Sequence, residues 1–451
     1  MRQSIYKYII LVLFIFLTGC LCYAQKIRTV EHPAWSYDVS IYEVNTRQYT
    51  PEGTFKAFDE HIKDLKDLGV GIVWFMPINP IGVKNRKGSL GSYYSVRDYK
   101  AVNPEFGTLD DFKETVREIH SMGMYVIIDW VANHTAWDNV WVEEHPDFYT
   151  KDSLGNFVPP VPDWQDVIDL NYDNKELRRY MIDAMKYWVQ ECDIDGFRCD
   201  VAGMVPLDFW KEARAELNKI KHVFMLAEAE GPEFHEAFDM TYSWELLHLM
   251  NDIAKGKKDV QSLRDYFIKE RRQYPPDAYR MRFTTNHDEN TWNGTVFERL
   301  GDAAETFGAF TFVIKGMPLV YSGQEAGLDK RLKFFDKDTI QWRESKYRFL
   351  YTVLLHEKTK NKALWNGKKG AEMVPVKSSA GEVFAFVREK DNDKVYAIFN
   401  LSDKKVRTQL ESDKINGEYI NPFTGKSFKI KSKEWLELKP WDYRILVHDQ
   451  N

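Results

Sequence analysis

Short apolar runs alternate with longer amphipathic segments between about residue 39 and residue 360, and this alternation most constrains the fold. Each run is long enough for one buried strand, and the segments between them carry apolar residues at helical spacing. Such a pattern is typical of βα units around a parallel sheet. The eight predicted strands cover Val39–Val44, Val70–Met76, Met124–Asp129, Gly196–Asp200, Val223–Glu228, Phe238–Tyr242, Arg282–Asn286 and Met317–Tyr321.

These strands favour a closed (β/α)₈ TIM barrel of the α/β class over a doubly wound sheet, because no Gly-x-Gly-x-x-Gly turn follows any of them. We predict a catalytic barrel over residues 27–362. The segment after the third strand is too long for an ordinary βα connection, so it predicts a small excursion domain at residues 135–173. Short strands separated by polar turns predict a C-terminal antiparallel β domain at residues 363–451.

The first 24 residues have the pattern of a signal peptide. Arg2 and Lys7 precede an apolar stretch from Ile9 to Leu17, which is too short to span a membrane. Leu17-Thr-Gly-Cys20 resembles the bacterial lipobox, so we expect export as a periplasmic or outer-membrane lipoprotein whose lipid anchor is at Cys20. The pattern Cys22-Tyr-Ala24 leaves soluble secretion as the alternative.

Charge and cysteine content exclude several classes of protein. The 62 basic and 68 acidic residues give a net charge of −6 without a long basic run, which argues against a nucleic-acid partner. Two of the four cysteines lie in the signal segment, so no disulfide framework is expected. Cys192 and Cys199 are expected to be buried free thiols.

Acidic residues recur where predicted strands end, namely Asp129, Asp200, Glu228 and Asp288. Each one alone is equally well explained as a turn or helix cap. In a TIM barrel, however, the carboxyl ends of all strands meet on one face, which is where such enzymes carry their chemistry. The four acids together therefore predict an active site.

The motifs around these acids resemble, in sequence order, the signatures of the α-amylase family of glycoside hydrolases. They are Asp129-Trp-Val-Ala-Asn133-His134, Gly196-Phe-Arg198-Cys-Asp200, Phe224-Met-Leu-Ala-Glu228 and Thr285-Asn-His287-Asp288. The likeness runs from about Ile41 through the C-terminal β domain. It implies a hydrolase that cleaves α-glucosidic bonds in starch, maltooligosaccharides or related α-glucans with retention, through a covalent glycosyl-enzyme intermediate, and without an organic cofactor.

The resemblance assigns the same roles to the carboxylates that retaining chemistry requires. Asp200 is the expected nucleophile, kept ionised by Arg198 two positions earlier on the same strand face. Glu228 is the expected proton donor, with its pKa raised by burial and a neighbouring carboxylate. Asp288 is expected to orient the sugar hydroxyls. Glu230 remains a rival acid/base by sequence alone.

The resemblance also implies residues that bind substrate or metal. Tyr94, His134 and His287 correspond to a stacking aromatic and two histidines that hydrogen-bond the sugar, and Arg198 is grouped with them. Asn133 and Asp169 match calcium-ligand positions, and oxygen donors suit that ion. Their alternative role is loop capping.

The sequence departs from the family pattern after the nucleophile, where Val201-Ala-Gly-Met204 replaces a frequent Lys-His pair. This segment resembles neopullulanase-like and α-1,6-acting members, so the preference between α-1,4 and α-1,6 linkages stays open. An α-glucan transglycosylase and a non-catalytic glycan-binding protein on the same barrel are the alternative functions.

Overall fold

The computed structural model describes residue 27 and residues 29–448, so the predicted signal segment and Cys20 lie outside the described residues. In this described part, no helix has the length and apolar character needed to cross a membrane.

Eight parallel strands close into a barrel, which confirms the predicted α/β TIM-barrel class. The first ten strands of the chain are β1 Ile41–Val44, β2 Ile72–Phe75, β3 Tyr125–Trp130, β4 His134–Ala136, β5 Val167–Asp169, β6 Gly196–Cys199, β7 Phe224–Ala227, β8 Met240–Thr241, β9 Tyr279–Arg282 and β10 Met317–Tyr321. All except β4 and β5 belong to the barrel, in the order β1-β2-β3-β6-β7-β8-β9-β10, and β10 pairs with β1 to close it.

Among the described residues there are twelve α-helices, some of which pack on the barrel strands. They cover Thr46–Tyr49, Phe55–Asp59, Ile62–Leu68, Leu109–Ser121, Trp141–Glu144, Lys175–Cys192, Leu207–Leu217, Trp244–Ala254, Val260–Gln273, Val296–Leu300, Ala304–Val313 and Lys346–Lys360. The helix that begins at Leu109 shows how local sequence sets these bounds, because Thr108 and Asp111 form a reciprocal capping box at its start. Its apolar stripe of Phe112, Val116 and Ile119 is buried.

The seventh barrel strand is β9, Tyr279–Arg282, and our prediction of Arg282–Asn286 placed it too late in the chain. The prediction was wrong because this strand carries two buried arginines, Arg280 and Arg282. Glu270 from the helix Val260–Gln273 lies 2.6 Å from Arg282 Nη2 and 3.2 Å from Arg280 Nε. Because this carboxylate neutralises Arg282, and Glu230 also pairs with Arg280 at 2.9 Å, a strand with two charged residues is buried, which an apolar pattern does not predict.

The segment after β3 forms the small excursion that the sequence predicted. Its strands β4 and β5 are antiparallel, with His134 opposite Asp169. The loop between them is fastened by the Trp137 indole, which donates to the Gln165 carbonyl at 2.9 Å. The excursion therefore sits directly beside the carboxyl end of β3.

Two antiparallel sheets follow the barrel, as predicted. The larger sheet has the order β11-β13-β14-β19-β16-β17, and the smaller one has the order β12-β15-β18. Their strands are β11 Val374–Pro375, β12 Lys377–Ser378, β13 Val383–Lys390, β14 Asp393–Asn400, β15 Val406–Glu411, β16 Gly417–Ile420, β17 Ser427–Ile430, β18 Trp435–Leu438 and β19 Tyr443–His448.

Cys192 and Cys199 of the barrel are buried free thiols, as expected.

Candidate active site

Arg198 holds three carboxylates together at the carboxyl end of the barrel. Its Nη1 donates to Asp129 Oδ1 at 2.9 Å and to Asp200 Oδ1 at 2.8 Å. Its Nη2 lies 3.0 Å from Glu228 Oε2, a close ion pair without the angle of a good hydrogen bond. The guanidinium is fully buried, so the acids from β3, β6 and β7 share one cation in a dry setting.

Glu228 receives a further contact from the backbone after the proposed nucleophile. The Val201 amide donates to Glu228 Oε2 at 2.7 Å. Val201 has φ 34° and ψ 45°, a left-handed conformation that is unusual and strained for a β-branched residue. Glu230, the rival acid, lies 2.9 Å from Arg280 Nη2 instead. Of these two glutamates, Glu228 is therefore the one in contact with Arg198.

Asp288 is held by an ionic chain that begins on the first strand. Glu43 Oε1 lies 2.5 Å from His287 Nδ1, and His287 Nε2 lies 3.1 Å from Asp288 Oδ2. Burial opposes a charge on His287, but the two carboxylates raise its pKa well above the usual range. The imidazolium in turn opposes the effect of burial and holds the pKa of Asp288 below its ordinary value.

Tyr94 links this chain to the Arg198 cluster. Its hydroxyl donates to Asp129 Oδ2 at 3.0 Å and lies 2.7 Å from His287 Nε2. Its ring lies nearly parallel to that of His287, with centroids 5.4 Å apart. The structure thus brings Tyr94, Arg198 and His287 together with the carboxylates.

His134 lies at the start of β4 beside the carboxyl end of β3. Asn133 Nδ2 is 3.2 Å from its Nδ1, and the Trp164 ring packs edge-on against it at 5.5 Å. Burial lowers the pKa of His134 to about 3, so the imidazole is neutral near pH 7. A neutral imidazole suits hydrogen bonding to an uncharged hydroxyl.

Burial, reinforced by the concentration of negative charge, makes the two central acids retain protons to unusually high pH. Burial raises the pKa of Asp200 to about 7, against the opposing attraction of Arg198 and with added repulsion from Asp129 and Asp288. Burial likewise raises the pKa of Glu228 to about 7, with Asp200 and Asp288 adding to the effect. Since one cation cannot neutralise every carboxylate, the site holds a proton near neutral pH.

Asn133 and Asp169 lie near each other because β4, which follows Asn133, pairs with β5 at Asp169. They offer one amide and one carboxylate, whereas calcium takes six to eight oxygen ligands. Among the described residues, no three His, Cys, Asp or Glu side chains converge in a group that could hold a metal ion. These side chains alone fit only part of a calcium site, and no catalytic step is derived through it.

Sequence reasoning did not assign Glu43, nor the partnership of Asp129 with Arg198. Glu43 is a fully buried acid inside an apolar strand, and such a residue signals a charged partner. Asp129 was predicted as an acid at a strand end and as part of a family signature, but without a partner. The Val201 amide left no signal, because a backbone donor has no side-chain signature.

Two carboxylates from neighbouring strands, held beside a third and a fourth on the carboxyl face of a barrel, define a glycosidase type of site. The family model for the alpha amylase catalytic domain matches residues 32–160 and 161–410. This chain belongs to the α-amylase family of glycoside hydrolases.

Similar proteins agree with this family. Alpha-amylase MalA of Haloarcula japonica is 25% identical over 416 residues, and the match covers 87% of this chain but only 60% of the relative. A noncanonic maltogenic alpha-amylase from Thermotoga neapolitana has a solved structure with a TM-score of 0.84 and 34% identity, covering 92% of this chain and 99% of that one. An alpha-amylase structure from Lactobacillus plantarum gives 0.83 and 31%, with coverages of 92% and 100%.

Proposed function

We propose that the protein is a retaining α-glucan hydrolase in which Asp200 is the nucleophile and Glu228 the acid/base. The observation that carries this assignment is that the buried Arg198 guanidinium forms ion pairs with both acids, at 2.8 Å from Asp200 and 3.0 Å from Glu228. It fixes two carboxylates from adjacent strands side by side, as a double displacement requires.

In the first step, an Asp200 oxygen bonds to the anomeric carbon while the bond from that carbon to the glycosidic oxygen breaks. The Glu228 proton passes to the leaving oxygen. In the second step, Glu228 takes a proton from water as the water oxygen attacks the anomeric carbon and releases Asp200. Asp288, held by His287, stabilises the oxocarbenium-like transition state of each step.

The substrate class follows from the relatives, several of which are maltogenic amylases or cyclomaltodextrinases by name. We therefore propose maltooligosaccharides and cyclodextrins as substrates. A sugar that replaces water in the second step would give transglycosylation through the same intermediate.

Incubation with maltoheptaose, pullulan and cyclodextrins, followed by product analysis, tests this proposal. Asp200→Asn should reduce turnover of every cleaved substrate at least about 10³-fold, whereas the exposed Asp110→Asn should leave it unchanged. Normal turnover by Asp200→Asn would refute the mechanism. Products longer than the substrate would identify a transglycosylase, and binding without cleavage by the unsubstituted protein would favour a glycan-binding protein.

Calcium at Asn133 and Asp169 is a separate proposal. After treatment with a chelator, added calcium should raise the Tm of the unsubstituted protein and not that of Asp169→Asn, because the variant lacks the one carboxylate of the pair. An unchanged Tm in both proteins would assign the two side chains to loop capping.

Export as a lipoprotein is also a proposal, since the motif around Cys20 lies outside the described residues. Metabolic labelling with a lipid precursor should mark the unsubstituted chain and not Cys20→Ala. An unlabelled mature chain that begins after Ala24 would show soluble secretion instead.

A further inference from the structure

Trp292 is a large aromatic side chain that stands 52% exposed next to the carboxylate cluster. It lies in a single π-helical turn, Glu289–Asn293, which begins directly after Asp288. Turns of this kind are rare and often mark functional sites. Despite burial, the Trp292 side chain, whose only polar group is the indole N–H, adds to the effect of His287 and Arg198 in holding the pKa of Asp288 below its ordinary value.

The π-helical turn is fastened to the segment that follows β10. Asn290 Nδ2 donates to the Lys330 carbonyl at 3.0 Å, and Asn290 Oδ1 accepts from the Leu332 amide at 2.8 Å. Thr291 Oγ1 donates to the Leu332 carbonyl at 3.0 Å. These bonds come from the two residues that precede Trp292 and fasten the turn that carries it, so its side chain is exposed on an ordered turn.

Trp292 continues an aromatic surface that starts at the catalytic acids. Its ring lies 5.2 Å from that of Phe334, which in turn lies parallel to Tyr94 within 11° at a centroid distance of 6.1 Å. The ring of Phe335 also lies 5.9 Å from that of Trp292. We call Tyr94, Phe334, Phe335 and Trp292 the aromatic wall. It runs from the hydroxyl contact of Tyr94 with Asp129 out to solvent.

An exposed indole face beside carboxylates matches a sugar ring, which has an apolar C–H face and hydroxyls around its edge. The other Trp and Phe side chains found exposed among the described residues are Trp342, Phe349 and Trp435. Their ring contacts are with residues outside the catalytic cluster, such as Tyr49, Phe423 and Arg407. Of these four, Trp292 is the one that lies in the turn directly after Asp288.

We propose that Trp292 is a positioning residue that stacks on the glucosyl unit next to the one being cleaved, while its indole N–H orients Asp288. This inference rests on the proposed function and specifies its substrate as a chain longer than one glucosyl unit. Binding of that neighbouring unit and alignment of the third carboxylate are then coupled through a single side chain.

Comparison of Trp292→Phe with Trp292→Ala separates the two roles, because the first variant keeps a ring and both lose the N–H. We expect kcat/KM for maltopentaose to be about 10-fold lower in Trp292→Ala than in Trp292→Phe, mainly because KM is higher. A 10-fold difference corresponds to about 1.4 kcal/mol. With α-glucosyl fluoride, which fills only the cleavage point, the two variants should agree with each other. Both should show a lower kcat than the unsubstituted enzyme.

Trp435→Phe and Trp435→Ala are the matched controls, and both should behave like the unsubstituted enzyme because Trp435 is on β18, outside the barrel. Equal losses for Trp292→Phe and Trp292→Ala on maltopentaose would overturn the stacking role. An unchanged kcat on α-glucosyl fluoride in both would overturn the role toward Asp288. Thermal melts of each variant check that it folds.

A binding measurement keeps this inference separate from the proposed function. Calorimetric titration of Asp200→Asn with maltopentaose should give a Kd that rises about 10-fold when Trp292→Ala is added. If the unsubstituted protein cleaves no glucan yet shows this dependence, the proposed hydrolase fails and the stacking role stands. If the Kd does not depend on Trp292, the stacking role fails even in an active hydrolase.

Discussion

At the residue scale, Arg198 explains how several carboxylates can lie side by side in a buried site. Burial of an unpaired charge costs several kcal/mol, so each acid needs a partner. One guanidinium serves Asp129, Asp200 and Glu228 at 2.8 to 3.0 Å, which leaves excess negative charge. Burial raises the pKa of both Asp200 and Glu228, and the excess negative charge adds to this effect, so the site retains the proton that a general acid must carry.

Glu228→Gln should therefore show a loss that depends on the leaving group. For maltoheptaose, kcat should fall about 10² to 10⁴-fold, since the amide cannot protonate the leaving oxygen. For α-glucosyl fluoride the loss should be much smaller, because fluoride leaves with little need of a proton. Steady-state kinetics on both substrates checks this.

Glu230→Gln is the matched control, because Glu230 pairs with Arg280 and not with Arg198. It should leave the ratio of the two activities unchanged. A leaving-group-dependent loss in Glu230→Gln and none in Glu228→Gln would reverse the assignment of the acid.

The sequence predicted which acids meet and that burial raises the pKa of Glu228, but not that burial also raises the pKa of Asp200 despite Arg198. Asp200, Glu228 and Asp288 could be found because barrel topology brings strand ends to one face. The contact of Glu43 with His287 joins residues 244 positions apart, and the Val201 contact uses a backbone amide. Neither contact has a pattern that spacing along the chain can show.

At the element scale, the barrel strands were predicted well where they are apolar and poorly where they carry paired charges. β10 was placed at Met317–Tyr321 by its unbroken apolar run. β9 begins three residues before the predicted start, because Arg280 and Arg282 interrupt the apolar pattern expected of a buried strand. Their partner Glu270 is on a different element, so only the tertiary structure reveals why this strand is buried.

Glu270→Gln should destabilise the barrel strongly, because it leaves the buried Arg282 guanidinium without its carboxylate and leaves Arg280 with Glu230 alone. We expect the free energy of unfolding to fall by about 3–5 kcal/mol. Glu245→Gln, which breaks an exposed pair with Lys269, should cost at most about 1 kcal/mol. Thermal melts of both variants measure the difference.

This effect should depend on pH in a defined direction. Despite burial, Arg282 and Arg280 lower the pKa of Glu270 to about 2 from an ordinary value of 4.5. A lowered folded-state pKa stabilises above the unfolded value and loses its contribution as pH falls from about 4.5 to about 2. The Tm gap between Glu270→Gln and the unsubstituted protein should narrow over this range. A gap that widens instead would contradict the assigned ion pairs.

At the scale of the whole molecule, the C-terminal β domain packs on the barrel through buried aromatic side chains and a buried arginine. Phe310 of the helix Ala304–Val313 contacts Phe384 at 5.8 Å and Phe399 at 5.2 Å. Arg388 of β13 is buried and donates to the Val313 and Ile314 carbonyls at 3.0 and 2.8 Å. Such an interface couples the two parts more strongly than a flexible linker would.

We therefore expect the barrel and the β domain to unfold in one calorimetric transition. Phe310→Ala should lower the temperature of that whole transition, since loss of a buried Phe costs about 3–5 kcal/mol. Phe349→Ala, at a side chain that is 57% exposed, should change it little. Two separate transitions in the unsubstituted protein would show that the domains are independent.

The stereochemistry of the first product tests most directly whether Asp200 is the nucleophile, because a covalent bond from Asp200 to the anomeric carbon requires two inversions. Proton NMR during early hydrolysis of maltoheptaose distinguishes the anomers before they equilibrate. If Asp200 is the nucleophile, the newly formed reducing end should appear first as the α-anomer. Initial appearance of the β-anomer would show a single displacement by water and would contradict the role assigned to Asp200.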